Sequence, residues 1–138
     1  MQLAEPRIAS SSTPVELAGL TGEHLDLPAA EIDGALSTWT LCTIPDISAA
    51  LGEVRRVLKP GGSFHFVEHG HAPDPKTARW QHRLDPLNQR VAGGCHLSRR
   101  ISESIEEAGF AIEHLDTYYS AGEPKPWGYT YEGRAVKV

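Results

Sequence analysis

Apolar positions along this chain change period several times, and the changes mark out its elements. Val15-Glu16-Leu17-Ala18 alternates like a short strand, and Leu20-Thr21-Gly22-Glu23-His24 after it reads as a loop. Ile32 to Ser37 is a second short strand, apolar enough to be buried, and it runs into Thr38-Trp39-Thr40-Leu41-Cys42. Ile47, Ala50, Leu51, Val54 and Leu58 then recur on one helical face, with Asp46 placed to cap the helix start and Lys59 suited to its negative end. Pro60-Gly61-Gly62 cannot continue a helix, so the chain turns into a strand at Ser63 to Glu68. Further on, Ser98 can cap a helix containing Ile101, Ile105 and Ala108, which Gly109 ends before strand-like Phe110 to Leu115, and a last strand fits between Tyr129 and Val138.

Strands alternating with helices predict a parallel α/β sheet, and two final strands joined by a short Gly/Pro-containing link predict an antiparallel ending. The stretch from Pro73 to Gly94 is too long for a plain loop in a compact domain. Trp80, Leu84, Leu87 and Val91 form an apolar stripe at helical spacing there, so residues 73–97 read as an inserted helical cover over the sheet.

Composition narrows the function classes. At 138 residues, 40% hydrophobic and 22% charged, the chain has the size and make-up of one globular domain. Its net charge of -5 gives it no general attraction for polyphosphate, so nucleic acid is not an expected partner. No apolar run approaches the roughly 18 residues of a membrane helix, and the N-terminus lacks the basic start and apolar core of a secretory signal, which makes a cytoplasmic location the expectation. Cys42 and Cys95 lie far apart in the sequence and form neither a disulfide framework nor a zinc-finger spacing.

Val54-Arg55-Arg56-Val57-Leu58-Lys59-Pro60-Gly61-Gly62, followed by a strand ending in Glu68-His69, resembles class I S-adenosylmethionine-dependent methyltransferases of the type 11 branch. The preceding pieces, Leu25-Asp26-Leu27-Pro28 and Ile32 to Ser37, keep that family's order and spacing. Leu84-Asp85-Pro86 and Gly94-Cys95-His96-Leu97-Ser98-Arg99 are similar to the subgroup related to thiol S-methyltransferases. The resemblance implies a Rossmann-like doubly wound α/β sheet with antiparallel C-terminal strands, and an enzyme that moves a methyl group from S-adenosylmethionine to a small acceptor. It also implies a truncation. The glycine-rich loop and the ribose-binding acid of such enzymes are not found, as though two strand-helix units of roughly 30 residues each were missing. Residues 1–138 then correspond to the C-terminal portion of one methyltransferase domain, with an open sheet edge beside Ile32 to Ser37. Self-association or a separate N-terminal half would complete it. The alternative is a non-enzymatic interaction module, or an inactive remnant, pairing through that edge.

The resemblance assigns cofactor contacts to Thr21, Gly22 and Glu23 on the adenine side, and to Ser37, Thr38 and Trp39 near the sulfonium, where Trp39 can offer an aromatic face to the positive charge. An acidic residue is common in the family where Thr21 stands. Glu68 and His69 end a strand on the same rim, at the carboxyl edge where open α/β sheets bind ligands. His69 is the candidate general base or acceptor-orienting group, its ordinary titration range suiting proton removal near neutral pH. Glu68, Trp80, Cys95 and His96 are candidates for the acceptor pocket. No metal site is expected: His65 and His69 are four residues apart on a strand, roughly 13 Å, and only His69, His71, Cys95 and His96 form a set that folding could gather.

Overall fold

The computed structural model describes residues 5–16 and 21–138. A five-residue helix, α1 (Glu5–Ala9), opens it, with no buried residue. The strand expected at Val15 to Ala18 is not formed at Val15 and Glu16, which have no regular structure, and Leu17 and Ala18 lie outside the described residues. The fold proper begins at β1 (Ile32–Thr38), followed by α2 (Ile47–Val57), β2 (Leu58–His69), α3 (Pro75–Val91), α4 (Ile101–Glu107), β3 (Phe110–Tyr119), α5 (Lys125–Gly128) and β4 (Tyr129–Lys137). The sheet order is β1-β2-β4-β3, with β1 parallel to β2 and both β4 pairings antiparallel. Parallel β1 and β2 require a crossover, which α2 supplies, and the shorter β3 to β4 connection returns antiparallel as expected.

Asp46 caps α2, its Oδ1 accepting from the Ala49 amide at 2.9 Å. Ala50, Leu51 and Val57 bury the helix against the sheet, where Leu51, Leu58, Phe64, Phe66, Ile101, Ile105, Phe110 and Ala135 form the centre of the core. The turn after α2 is absorbed into β2. Ile32 pairs with Leu58 and Gly34 with Ser63, so Lys59 to Gly62 bulge out between two ladder positions. Gly61 sits at φ +73°, and a Cβ on Gly62 would stand 2.9 Å from the Lys59 carbonyl, which explains both glycines.

Two expectations about the later helices are corrected. Ser98 does not cap α4; the N-cap position is Arg100, with no side-chain cap bond, and the Ser98 hydroxyl donates to Asp85 instead. The apolar stripe of α3 does not face the sheet. Trp80, Leu87 and Val91 are 49%, 59% and 75% exposed, while Thr77, Gln81, Asp85 and Asn88 are buried. The reason is what α3 lies against. It covers loops at the carboxyl rim of the sheet, whose backbone groups need partners, so its inner face is polar. Gln81 accepts from the Ala72 amide at 2.9 Å and donates to the carbonyls of Gly70 and Pro126 at 3.0 and 3.1 Å. Asp85 accepts from the Leu97 amide at 2.6 Å, and Asn88 donates to the Cys95 carbonyl at 2.8 Å.

Candidate active site

Because β1 and β2 run parallel, their carboxyl ends open on the same rim. Beyond Thr38 the chain turns sharply: Trp39 adopts φ +52°, and its amide donates to the Val67 carbonyl at 2.9 Å. Glu68 holds the turn from beneath. Fully buried, it accepts from the Ser37 hydroxyl at 2.7 Å, the Thr40 amide at 3.1 Å and the Cys42 amide at 3.3 Å. Glu68 therefore does not line an acceptor pocket as the sequence suggested, since its carboxylate is spent on shaping the loop that carries Trp39 and Cys42.

That loop meets the segment between α3 and α4. The Cys42 carbonyl accepts from the His96 amide at 2.7 Å, which draws Cys95 toward Cys42. The Cys42 and Cys95 sulfurs and a ring nitrogen of His69 all lie within 4.8 Å of one another. Cys42 is buried and Cys95 half-buried. The Trp39 ring leans on the His69 ring, centroids 4.2 Å apart and planes tilted 44°, and Glu123 Oε2 stands 3.8 Å from His69 Nε2. The two thiols are tightly coupled. Hydrogen bonding from Cys42, and then from His69, holds the Cys95 thiol well below its ordinary range, while the bond to Cys95 and burial push the Cys42 thiol up.

The other expected residues divide into two groups. Gly22 and Ser37 line an apolar cleft of about 230 Å³ with Leu25, Leu36, Leu41 and Ile44. Thr21, Gly22 and Glu23 line an adjoining cleft of about 330 Å³ with Thr43 and Pro45. Glu23 also accepts from the Asp46 amide at 2.9 Å, anchoring this loop to the start of α2. Thr38 is exposed at the rim, and Trp39 is 45% exposed beside it. An apolar cleft, a neighbouring cleft with polar lining and a half-exposed indole thus stand together at this rim.

Trp80 is not part of the rim site. It lies on the outer side of α3 against Arg83, whose guanidinium carbon is 5.8 Å from the ring centroid. His96 contributes its backbone to the Cys42 contact; burial, then Arg99, lowers its pKa. His71 pairs with His82 at 5.9 Å between ring centroids and is not gathered with His69. Sequence reasoning missed Cys42. Its position four residues beyond the end of β1 was the available signal, since that places it on the same rim as His69.

A family model described as a methyltransferase domain matches residues 1–66. The chain is 36% identical over 118 residues to thiol S-methyltransferase TMT1B of Rattus norvegicus, covering 84% of this chain and 48% of that protein. It is 33% identical over 115 residues to thiol S-methyltransferase TMT1A of Homo sapiens, covering 80% and 47%. The chain therefore spans about half the length of these curated relatives. A solved SAM-dependent methyltransferase from Methanosarcina mazei superposes with a TM-score of 0.73 at 20% identity, covering 99% of this chain and 76% of that one. This likeness bears out the Rossmann-like α/β fold.

Proposed function

We propose that this chain, which belongs to the class I S-adenosylmethionine-dependent methyltransferases, serves methyl transfer to the sulfur of a small thiol. What carries the reading is its 36% identity to a protein named a thiol S-methyltransferase. The cluster of His69 and Cys95 on the ligand-binding rim of the sheet supports it. S-adenosylmethionine supplies the methyl group on a sulfonium centre that leaves readily.

The chain's own residues bind and align. Thr21, Gly22 and Glu23 hold the adenine end, and Ser37, Thr38 and Trp39 border the sulfonium. Ser37 does so through its backbone, because its hydroxyl is committed to Glu68. Holding the acceptor in line is most of what such a displacement requires. His69, packed against Trp39 at the end of β2, is the residue that positions the acceptor sulfur, with Cys95 and the His96 segment forming the far wall. In this reading α3 covers the acceptor side, its buried polar face fixing the loops that frame the pocket.

The reading is tested by incubating the purified chain with methyl-labelled S-adenosylmethionine and mercaptoethanol, alongside calorimetric titration with S-adenosylhomocysteine. Labelled methyl thioether together with saturable binding is the expected result. Saturable binding with transfer only to oxygen, nitrogen or carbon acceptors would overturn the thiol assignment. A folded sample that binds no S-adenosylhomocysteine would overturn the enzymatic reading itself.

A further inference from the structure

We propose that Cys42, His69 and Cys95 form a three-ligand zinc site whose open fourth position takes the sulfur of the incoming thiol. The inference rests on the thiol reading for the identity of that fourth ligand, but not for the site itself.

Three observations carry it. The first is the donor set. Two thiol sulfurs and one imidazole nitrogen are the borderline-soft ligands that zinc prefers, and three protein ligands with one open position is the pattern of reactive rather than structural zinc. The second is spacing. Zinc bonds of about 2.3 Å to sulfur and 2.0 Å to nitrogen put tetrahedral donors about 3.5 to 3.8 Å apart. The three donor atoms here already lie within 4.8 Å of one another, so rotamer adjustments that bring them closer by about 1 Å suffice to close them on an ion.

The third observation is the support beneath each ligand. The backbone of Cys42 is fixed on both sides, its amide donating to buried Glu68 and its carbonyl accepting from His96. The carbonyl of Cys95 is held by Asn88, which in turn accepts from the Trp127 indole at 2.9 Å. His69 is braced by the Trp39 ring. Buried polar groups that orient ligands in this way are what a metal centre needs, and a cluster of thiols serving only to fill space would not need them. Two thiolates neutralise the ion. His69 and Cys95 are partly open, which leaves a side from which a fourth ligand can enter.

Binding of an acceptor thiol then proceeds by coordination: a zinc-sulfur bond forms, the sulfur-hydrogen bond breaks, and the proton goes to bulk water. The acceptor is held as a thiolate at a defined point. His69 positions that sulfur through the metal.

The full chain, reduced with a phosphine and stripped of metal, is titrated with Co2+ as a spectroscopic stand-in for Zn2+. One equivalent producing intense tetrahedral visible absorption and sulfur-to-cobalt charge transfer, displaced by one equivalent of Zn2+, is the expected result. Cys95→Ser, at the half-buried ligand, should lose the charge-transfer band in part and weaken binding by about tenfold or more. His69→Ala should weaken it similarly, with folding of both variants checked by circular dichroism. Mercaptoethanol added to the cobalt form should alter the visible bands as it enters the fourth position. Failure of the reduced wild-type chain to bind cobalt, or binding unaffected by both substitutions, would overturn the site; bands indifferent to mercaptoethanol would overturn its acceptor role. Undiminished thiol methylation by the metal-free chain would sink the zinc role and leave the thiol reading intact. Cobalt and thiol bound with no methylation of any thiol would do the reverse.

Discussion

Glu68 shows how one buried carboxylate can organise a site without entering its chemistry. Three donors from Ser37, Thr40 and Cys42 converge on its two oxygens, and no buried polar side-chain atom among the described residues lacks a partner. Glu68→Gln keeps the shape but points an amide N–H2 at a donor, so we expect a loss of about 2 kcal/mol in chemical denaturation. The same change should displace Cys42 and Trp39. His69→Ala probes the other side of the rim. It should lower methyl transfer by about 100-fold while leaving S-adenosylhomocysteine affinity nearly unchanged, as the proposed acceptor-positioning role requires. A parallel loss of both would place His69 with the cofactor instead.

At the scale of elements, α3 is held by hydrogen bonds rather than by apolar packing, and two substitutions one position apart separate these. Trp80→Ala should change stability by less than about 0.5 kcal/mol, as surface substitutions do. Gln81→Leu leaves the Ala72 amide and the Gly70 and Pro126 carbonyls without their partner and should cost about 2 to 3 kcal/mol. Equal effects from the two would contradict the observed orientation. The loop leading to β1 is clamped onto α2 by another polar device. Glu53 accepts from Arg56 at 2.7 Å and from the Leu25 amide at 2.9 Å, and Arg56 donates to the Leu25 and Leu27 carbonyls. The hydrogen bond from Arg56, then that from Leu25, lowers the Glu53 pKa to about 2. A carboxylate lowered on folding stabilises the native state above its unfolded value and loses that contribution as pH falls through the folded one. Urea midpoints should therefore fall between pH 4.5 and 2 more steeply for the wild type than for Glu53→Gln.

The whole molecule is unevenly secured. β2 and β4 lie between paired neighbours and carry most of the buried residues of the sheet, whereas no residue of β1 is buried and Leu36 is 71% exposed. Among the described residues, no strand pairs with the free edge of β1. Local opening should begin where fewest apolar contacts resist it. Amide hydrogen exchange should accordingly be slowest in β2 and β4 and fastest, among the strands, in β1. Because Ala35, Leu36 and Ser37 wall the apolar cleft, S-adenosylhomocysteine should slow exchange in β1 more than in β3. Uniform protection along the sheet would count against this hierarchy. No described helix is long and apolar enough to cross a membrane.

What the sequence determined by itself was local or periodic. The α2 cap at Asp46, the break at Pro60-Gly61-Gly62, the alternation of strand and helix and the antiparallel close all depend on residues within a few positions of one another. The order of short motifs likewise carried the family. What only the tertiary structure decided was which distant side chains meet, and which face of α3 turns inward. Apolar spacing pointed the Trp80 stripe toward the sheet, but α3 rests on loops, and loop backbone demands polar partners. Cys42 and Cys95 lie 53 positions apart, and no periodicity links them. They meet because parallel strands open on one rim, Glu68 curls the chain beyond β1, and the His96 amide closes on the Cys42 carbonyl.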